Sequence, residues 1–336
     1  MPTVTALPEG KLPIRVLKAI LSSIPPAGSV VSPEVGVDVG ITRTKGKYLV
    51  SSSDPITGTR RRMGWHAVNV SANDVATSGI MPDTLNTVSL FPPGTSSNKI
   101  TVLMKEINET ARNLGITVAG GHTEITPGIN RPIIMVTCFG SGDSFVTAAS
   151  AKPGDAILMT KTAGIEGTSI LASLKATRER ATVSVCRKGI DLIRNLSIVP
   201  EARAAFGTGK VHAMHDVTEG GILGAVMEMS LASNVGFELE GDLVPVNQST
   251  EAICNAFQID PLSLIGSGTL LIACRRKDEE KVVRAVRKVA RCTRVGSFIA
   301  NRRERALVSR GKRRRVSEES VQDELWPTLS KYGKLP

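Results

Sequence analysis

Four aspartates sit where apolar runs give way to small residues: Asp38 in EVGVDVG, Asp54 in SSSDPITG, Asp74 in SANDVATSG and Asp216 in MHDVTEGG. Carboxylates at the ends of rigid elements can converge on one point. Hard cations such as Mg²⁺ take those oxygens together with water and substrate phosphate oxygens. Any one of these residues alone reads first as a helix cap or a turn residue. Four in like settings bring the metal-site reading level with the ordinary one.

Two glycine-rich segments could face an anion. In AGGHTEITPG, residues 119–128, paired Gly120 and Gly121 follow a strand-like run and are expected to turn, letting backbone N–H groups approach a phosphate. Thr123 would add a hydroxyl, His122 could touch phosphate or substrate, and Glu124 could bind a cation. In HDVTEGGILGA, residues 215–225, Thr218 and Gly220 fall at a strand-to-helix junction, where the positive end of a helix suits phosphate. That segment reads equally well as a simple N-cap by Thr218 or Asp216. No GxxxxGK[ST], HExxH or GxSxG occurs, which argues against a P-loop, a zinc hydrolase of that type and a serine-hydrolase elbow. The four histidines are His66, His122, His212 and His215, and His66 and His212 read as structural.

A chain of 336 residues with 41% hydrophobic content can bury a sizeable core in about two domains. It contains no run of 18 uncharged apolar residues and no signal-peptide pattern, so the expected location is cytoplasmic, without a membrane partner. The five cysteines lack CxxC spacing, and their apolar company suggests buried thiols rather than disulfides. The net charge is +11, and residues 302–315 (RRERALVSRGKRRR) carry eight bases and one acid. Such a patch raises a nucleic-acid or acidic-partner site. With aromatics at 3% and none interleaved, a solvated surface segment is the favoured reading.

Hydrophobic spacing predicts the elements that must position these residues. Helices are expected over 14–23, 63–79, 98–114, 182–195, 220–233 and 277–291. Strands are expected over 48–54, 116–121, 131–142, 211–216, 237–241 and 264–274. In the second helix Trp65, Val68, Asn69, Ala72, Val75 and Ala76 share one face. A Pro/Gly/Ser loop is expected over 24–36. The Pro-Gly-Asp turn in AKPGDAILMTKTAG looks like a restart, so domains are drawn at 1–148 and 149–310, followed by a basic C-terminal tail at 311–336.

The segments VGVDVGI, YLVSSSDPITG, AVNVSANDVATSGIMP, VAGGHTEITPG, AKPGDAILMTKTAGIEGT, HDVTEGGILGAVMEM and DPLSLIGSGTLLIA occur in an order that resembles the AIR synthase-like superfamily over nearly the whole chain. The DPIT, GGHTE and DVTEGG segments place the likeness nearest its HypE-like branch. The resemblance implies a two-domain α+β fold and a homodimer whose N-terminal sheets pair into a shared β-barrel, with an α/β sandwich as C-terminal domain. It further implies ATP with Mg²⁺ as cofactors. Asp38, Asp54, Asp74 and Asp216 would be the metal ligands. Asn73, Gly120, Gly121, Thr123, Thr218 and Gly220 would contact the nucleotide, and Asp54, Asp74 and His122 are the candidate catalytic residues. The expected chemistry is phosphorylation, with dehydration or cyclisation as a sequel, of a small amide-, carbonyl- or phosphate-bearing substrate. A non-catalytic nucleotide-binding homodimer with a maturation or regulatory role is the second expectation. The sequence departs from the superfamily in having a lone acid in VGVDVGI. It also has no cysteine in its closing SKYGKLP, which speaks against the HypE dehydration role itself.

Overall fold

The computed structural model describes residues 12–21, 29–31, 34–56, 59 and 61–333. The first half comprises α1 (Ile14–Leu21), β1 (Gly40–Thr44), β2 (Lys47–Ile56), α2 (Met63–Thr77), β3 (Thr84–Phe91), α3 (Ser97–Leu114), β4 (Thr117–Ile125) and β5 (Ile133–Gly142). The second half begins with β6 (Asp155–Thr160), α4 (Ile165–Ala172), α5 (Lys175–Arg178), α6 (Val183–Asp191), α7 (Val199–Phe206), β7 (Val211–Asp216), α8 (Gly221–Ala232) and β8 (Gly236–Glu240). It continues with α9 (Gln248–Phe257), β9 (Leu270–Arg275), α10 (Glu279–Val286), β10 (Cys292–Ile299), β11 (Arg305–Ser309), β12 (Lys312–Arg315) and α11 (Leu325–Tyr332). Residues 22–23 of the first expected helix and parts of the loop expected over 24–36 lie outside the described residues.

The first sheet has the order β1-β2-β5-β3-β4, antiparallel except for the parallel pair β3 and β4. Its strands alternate, as period-2 side-chain placement requires. In β5, Ile134, Val136 and Cys138 are fully buried, whereas Ile133, Met135, Thr137 and Phe139 on the other face are only partly covered. The buried face packs on α2, whose Ala67, Ser71, Ala72 and Ala76 are small enough for close approach. Ser71 Oγ lies within hydrogen-bond reach of the carbonyls of Ser52 and Val136, tying the helix to β2 and β5.

The second sheet has the order β12-β11-β8-β10-β6-β9-β7. Its central strands are buried on both faces. Along β6, Ala156 and Leu158 enter the core that contains α2, whereas Ile157 and Met159 enter the core that contains α8. The α2 core also takes Ile198, Ala202, Met214, Leu270 and Ile272 from the second half. One continuous apolar core therefore runs from the first sheet through α2 to the second.

Three expectations change. The stretch 116–125 does not turn at its glycines: β4 continues through Gly120 and Gly121 to Ile125. A Cβ on Gly121 would lie 2.4 Å from the Thr87 carbonyl oxygen, so this glycine permits close strand approach rather than a bend. The strand expected from 264 begins only at Leu270, because Gly268 adopts φ +106 and its Cβ position is filled by the Asn195 carbonyl. Residues 311–333 are no tail. β12 pairs antiparallel with β11, and α11 buries Leu325 and Leu329 against α4 and α9. Four consecutive bases, Lys312–Arg315, form the exposed edge strand, where charge deters pairing with another edge. Among the described residues the five thiols are free and buried, and burial pushes Cys138, Cys254 and Cys274 up to about 12. No helix among them is long and apolar enough to cross a membrane.

Candidate active site

The four aspartates meet at the seam between the halves. Asp38 precedes β1, Asp54 lies on β2, Asp74 on α2, and Asp216 ends β7. Ser52, two residues before Asp54 and so on the same face of β2, links two of them. Its Oγ is 2.7 Å from Asp74 Oδ2 and 3.1 Å from Asp54 Oδ2, donating to one at a time. Burial pushes the Asp74 carboxyl well above the usual range, and the negative charges of Asp54, Asp216 and Asp38 push it further. Thr77 Oγ1, one turn on from Asp74, bonds the Asp74 carbonyl at 2.6 Å and comes within 3.5 Å of Asp38 Oδ2.

His215 supplies the opposing charge. Its Nδ1 is 3.0 Å from Asp38 Oδ2 and 3.7 Å from Asp216 Oδ1, and its Nε2 is 3.0 Å from Glu228 Oε2. Burial alone would pull this imidazole down. The negative charge of Asp38, with the neighbouring Asp216 and Glu228 carboxylates, outweighs it and holds the ring well above 6.5. His215 is therefore an imidazolium buried among three carboxylates.

Asp216 is the informative member. It is fully buried, and neither carboxylate oxygen has a hydrogen-bond partner among the described residues. A buried carboxylate that makes no hydrogen bond, with only the His215 ring at 3.7 Å, is costly unless a further cation meets it. Ligand atoms of Asp38, His215 and Asp216 all lie within 4.8 Å of one another. His215 is set aside as a ligand, because an imidazolium has no free lone pair; the oxygens of Asp38 and Asp216, with Asp54 and Asp74 alongside, make a hard-oxygen set that fits Mg²⁺.

The other expected residues are placed differently. Asn73 is committed: its Nδ2 donates to the Leu196 carbonyl at 2.8 Å and its Oδ1 accepts from the Ile198 N–H at 2.8 Å. It joins the domains, and its amide is not free for a nucleotide. The start of α8 is also occupied. Gly220, at φ +81, is the N-cap, and its N–H donates to Asp323 Oδ2 at 2.8 Å. The Gly221 N–H goes to the Thr218 carbonyl and the Leu223 N–H to the Leu262 carbonyl. The chain's own acceptors hold the donors expected for phosphate.

Gly120, Gly121, His122 and Thr123 lie on β4, an exposed edge strand. Asp54, Val136, Thr87 and Gly121 are register partners across β2, β5, β3 and β4. Three strand spacings separate Asp54 from Gly121, about 14 Å. His122, one residue on, faces the opposite side and pairs with Glu124 Oε2 at 2.9 Å. The structure does not bring it to the acids of its own chain.

Sequence reasoning missed His215, Glu228, Ser52 and Thr77 as parts of this site. Glu228 carried a signal: it is the single acid in the apolar run GGILGAVMEMSLAS. Ser52 and Thr77 carried none, since small hydroxyl residues are common at such positions.

Two mixed sheets around a shared helix, with acids from both halves meeting at the seam, define a two-domain α+β protein with an interdomain site. Residues 36–141 match the N-terminal domain of AIR synthase related proteins and residues 152–309 match their C-terminal domain, so the chain belongs to the AIR synthase related family. It is similar to the carbamoyl dehydratase HypE of Escherichia coli, 27% identical over 238 residues, covering 69% of this chain and 68% of that protein. The chain spans about two thirds of the length of the curated relatives it matches. A solved structure of the hydrogenase maturation protein HypE in complex with ATP superposes with a TM-score of 0.71 at 22% identity, covering 84% of this chain and 87% of that one. The thiamine monophosphate kinase of Aquifex aeolicus superposes with a TM-score of 0.67 at 16% identity, covering 90% of this chain and 97% of that one. These structural likenesses show the shared fold.

Proposed function

We propose that this protein is an ATP- and Mg²⁺-dependent enzyme that phosphorylates a small amide-, carbonyl- or phosphate-bearing substrate. The observation that carries the reading is the convergence of Asp38, Asp54, Asp74 and Asp216, from four separate segments, with the buried Asp216 carboxylate making no hydrogen bond among the described residues. A HypE structure in complex with ATP, and kinase and dehydratase relatives, support a nucleotide-using reading of this chain.

Asp38, Asp54, Asp74 and Asp216 would hold Mg²⁺. When bound, the ion supplies neutralisation of charge on a phosphoryl group in transfer. The chain's own residues prepare the place. Ser52 fixes the spacing of Asp54 and Asp74. His215 holds Asp38 and Glu228 in one orientation and lends a buried positive charge. Asn73 keeps the two walls of the site in register.

A homodimer is part of the same reading. The partly covered face of the first sheet carries the cross-strand row Pro55, Met135, Val88 and His122, and β4 leaves one backbone edge unpaired. A second copy would cover both. His122 would then act at that interface, or across it, rather than on its own chain's acids.

The test is ATP turnover with and without Mg²⁺, using Asp54→Asn beside the unmodified protein. Mg²⁺-dependent release of ADP, lost in Asp54→Asn, is expected. Equal turnover in the variant would sink the site assignment.

A further inference from the structure

A small cavity of about 50 Å³ lies where the two halves meet at the start of α2. The first half lines it with Thr59, Arg61, Arg62 and His66. The second half adds Ser169 and Ser173, over a floor of three isoleucines. There is room for a few waters, or for one carboxylate or phosphate group in their place.

Every uncommitted donor in this space is basic. The three hydroxyls already give their protons to carbonyls: Ser169 to Ile190, Ser173 to Ser169 and Thr59 to Arg61. No acid is among the described lining residues. Arg62 is matched by Glu106 at 3.1 Å and packs over the Trp65 ring. Of Arg61 only the backbone is bonded, to Thr59, and its guanidinium has no partner among the described residues. Its charge is the surplus here.

His66 is the buried member, 1% exposed. Its Nδ1 is turned inward, sealed from solvent and 3.1 Å from Glu166 Oε1, at ion-pair distance but off the hydrogen-bond axis. Its Nε2 has neither that seal nor a partner among the described residues. Burial alone would raise the Glu166 carboxyl. The His66 ring and the Ser267 hydroxyl outweigh it and hold that carboxyl below its usual range. Glu166 is spent on the ring and does not line the cavity. An imidazolium has a donor at each nitrogen. One faces Glu166, and the other is left for a ligand.

Charge is thereby divided along α2. Asp74 follows His66 by eight residues, or roughly 12 Å of helix axis. The acids gather at that end, with His215 as their committed counter-charge, and Arg61, Arg62 and His66 stand at the other.

We propose that this cavity seats an oxyanion of the acceptor substrate, a carboxylate or phosphate group carried roughly 12 Å from the atom that receives the phosphoryl group. Arg61 supplies the unmatched charge and His66 the buried donor. This assignment rests on the reading of the acid cluster as a phosphoryl-transfer site, and it narrows the substrate to an acidic one.

The probes are inorganic phosphate, acetate and uncharged acetamide, titrated onto the full-length protein in EDTA, so that no metal draws an anion to the aspartates. With four histidines in the chain, ring NMR signals report each one, and His66→Gln assigns its own. Phosphate or acetate is expected to shift the His66 signal while exposed His122 stays still, and acetamide is expected to shift neither. Arg61→Ala, at an exposed position, should weaken anion binding about tenfold, the worth of one charge-assisted hydrogen bond. Arg303→Ala, an exposed base elsewhere, should leave it unchanged. Tighter phosphate than acetate supports a phosphate-bearing substrate, and the reverse supports a carboxylate. A His66 signal unmoved by both anions overturns the proposal. So does a signal moved equally by acetamide, or an anion affinity untouched by Arg61→Ala. The thermal shift given by ATP with Mg²⁺ is recorded in parallel. A normal ATP shift beside a silent His66 removes this assignment alone. A His66 response without an ATP shift removes the phosphoryl-transfer reading beneath it.

Discussion

His215 Nδ1 lies 3.0 Å from Asp38 Oδ2, so an imidazolium next to the end of strand β7 neutralises an acid that belongs to the other domain. The pair is buried, with Glu228 on the far nitrogen. Its folded-state pKa is raised above 6.5, so its contribution to stability is fully present below 6.5 and is lost as pH rises through the folded value. Urea unfolding across alkaline pH should show falling stability in the unmodified protein. His215→Gln should cost about 3–5 kcal/mol at neutral pH, because two buried carboxylates lose their counter-charge. It should also flatten the alkaline decline, and an undiminished decline in the variant would contradict the assignment.

Asp74 gives the opposite trade. Its carboxyl is raised above 3.8 by burial and by three neighbouring acids. The native state keeps a proton that the unfolded chain has released, so stability falls as pH rises from 3.8 through the folded value. Asp74→Asn removes that penalty. In EDTA its melting point should rise at neutral pH, while ATP turnover drops by about 100-fold or more, the usual scale for losing one preorganised electrostatic group. A variant that melts lower in EDTA would show that Asp74 is structural.

Asn73 is predicted to act on stability. Removing its amide orphans the Leu196 carbonyl and the Ile198 N–H in a buried place. Asn73→Ala should cost about 2–4 kcal/mol in urea unfolding, one to two unsatisfied buried groups. The Kd for ATP should move far less than it does in Asp54→Asn. Unchanged stability would return Asn73 to the list of nucleotide contacts.

The dimer reading predicts the behaviour of Val88, which sits between Met135 and His122 on the partly covered face of the first sheet. Val88→Arg should convert a dimer to a monomer in light scattering after size exclusion, with an unchanged circular dichroism spectrum. A monomeric unmodified protein would remove the dimer from the proposal.

Much of the fold was legible because its signals are local. The small, apolar face of α2 and the alternation in β5 follow directly from helical and strand periodicity. The acids were legible one by one, but nothing in local pattern says that Asp38 and Asp216, 178 positions apart, share a neighbour. The order of the surrounding segments carried that information, through resemblance. Gly120 and Gly121 misled for a physical reason. Paired glycines usually mark a bend, yet Gly121 is needed here because Thr87 fills the space a Cβ would take. Asn73 misled because an amide beside a candidate site acid looks like a ligand until both its ends are found bonded to the other domain. KRRR looked like a solvated tail because edge-strand pairing leaves no apolar trace.

The single core that passes from the first sheet through α2 into the second has a mechanical consequence. The walls of the acid-lined seam share their filling, so neither wall can swing without tearing side chains out of contact. This protein has no jaw. On the proposed function, a nucleotide would enter a notch whose walls move little against each other, and cross-linking the halves should leave turnover intact.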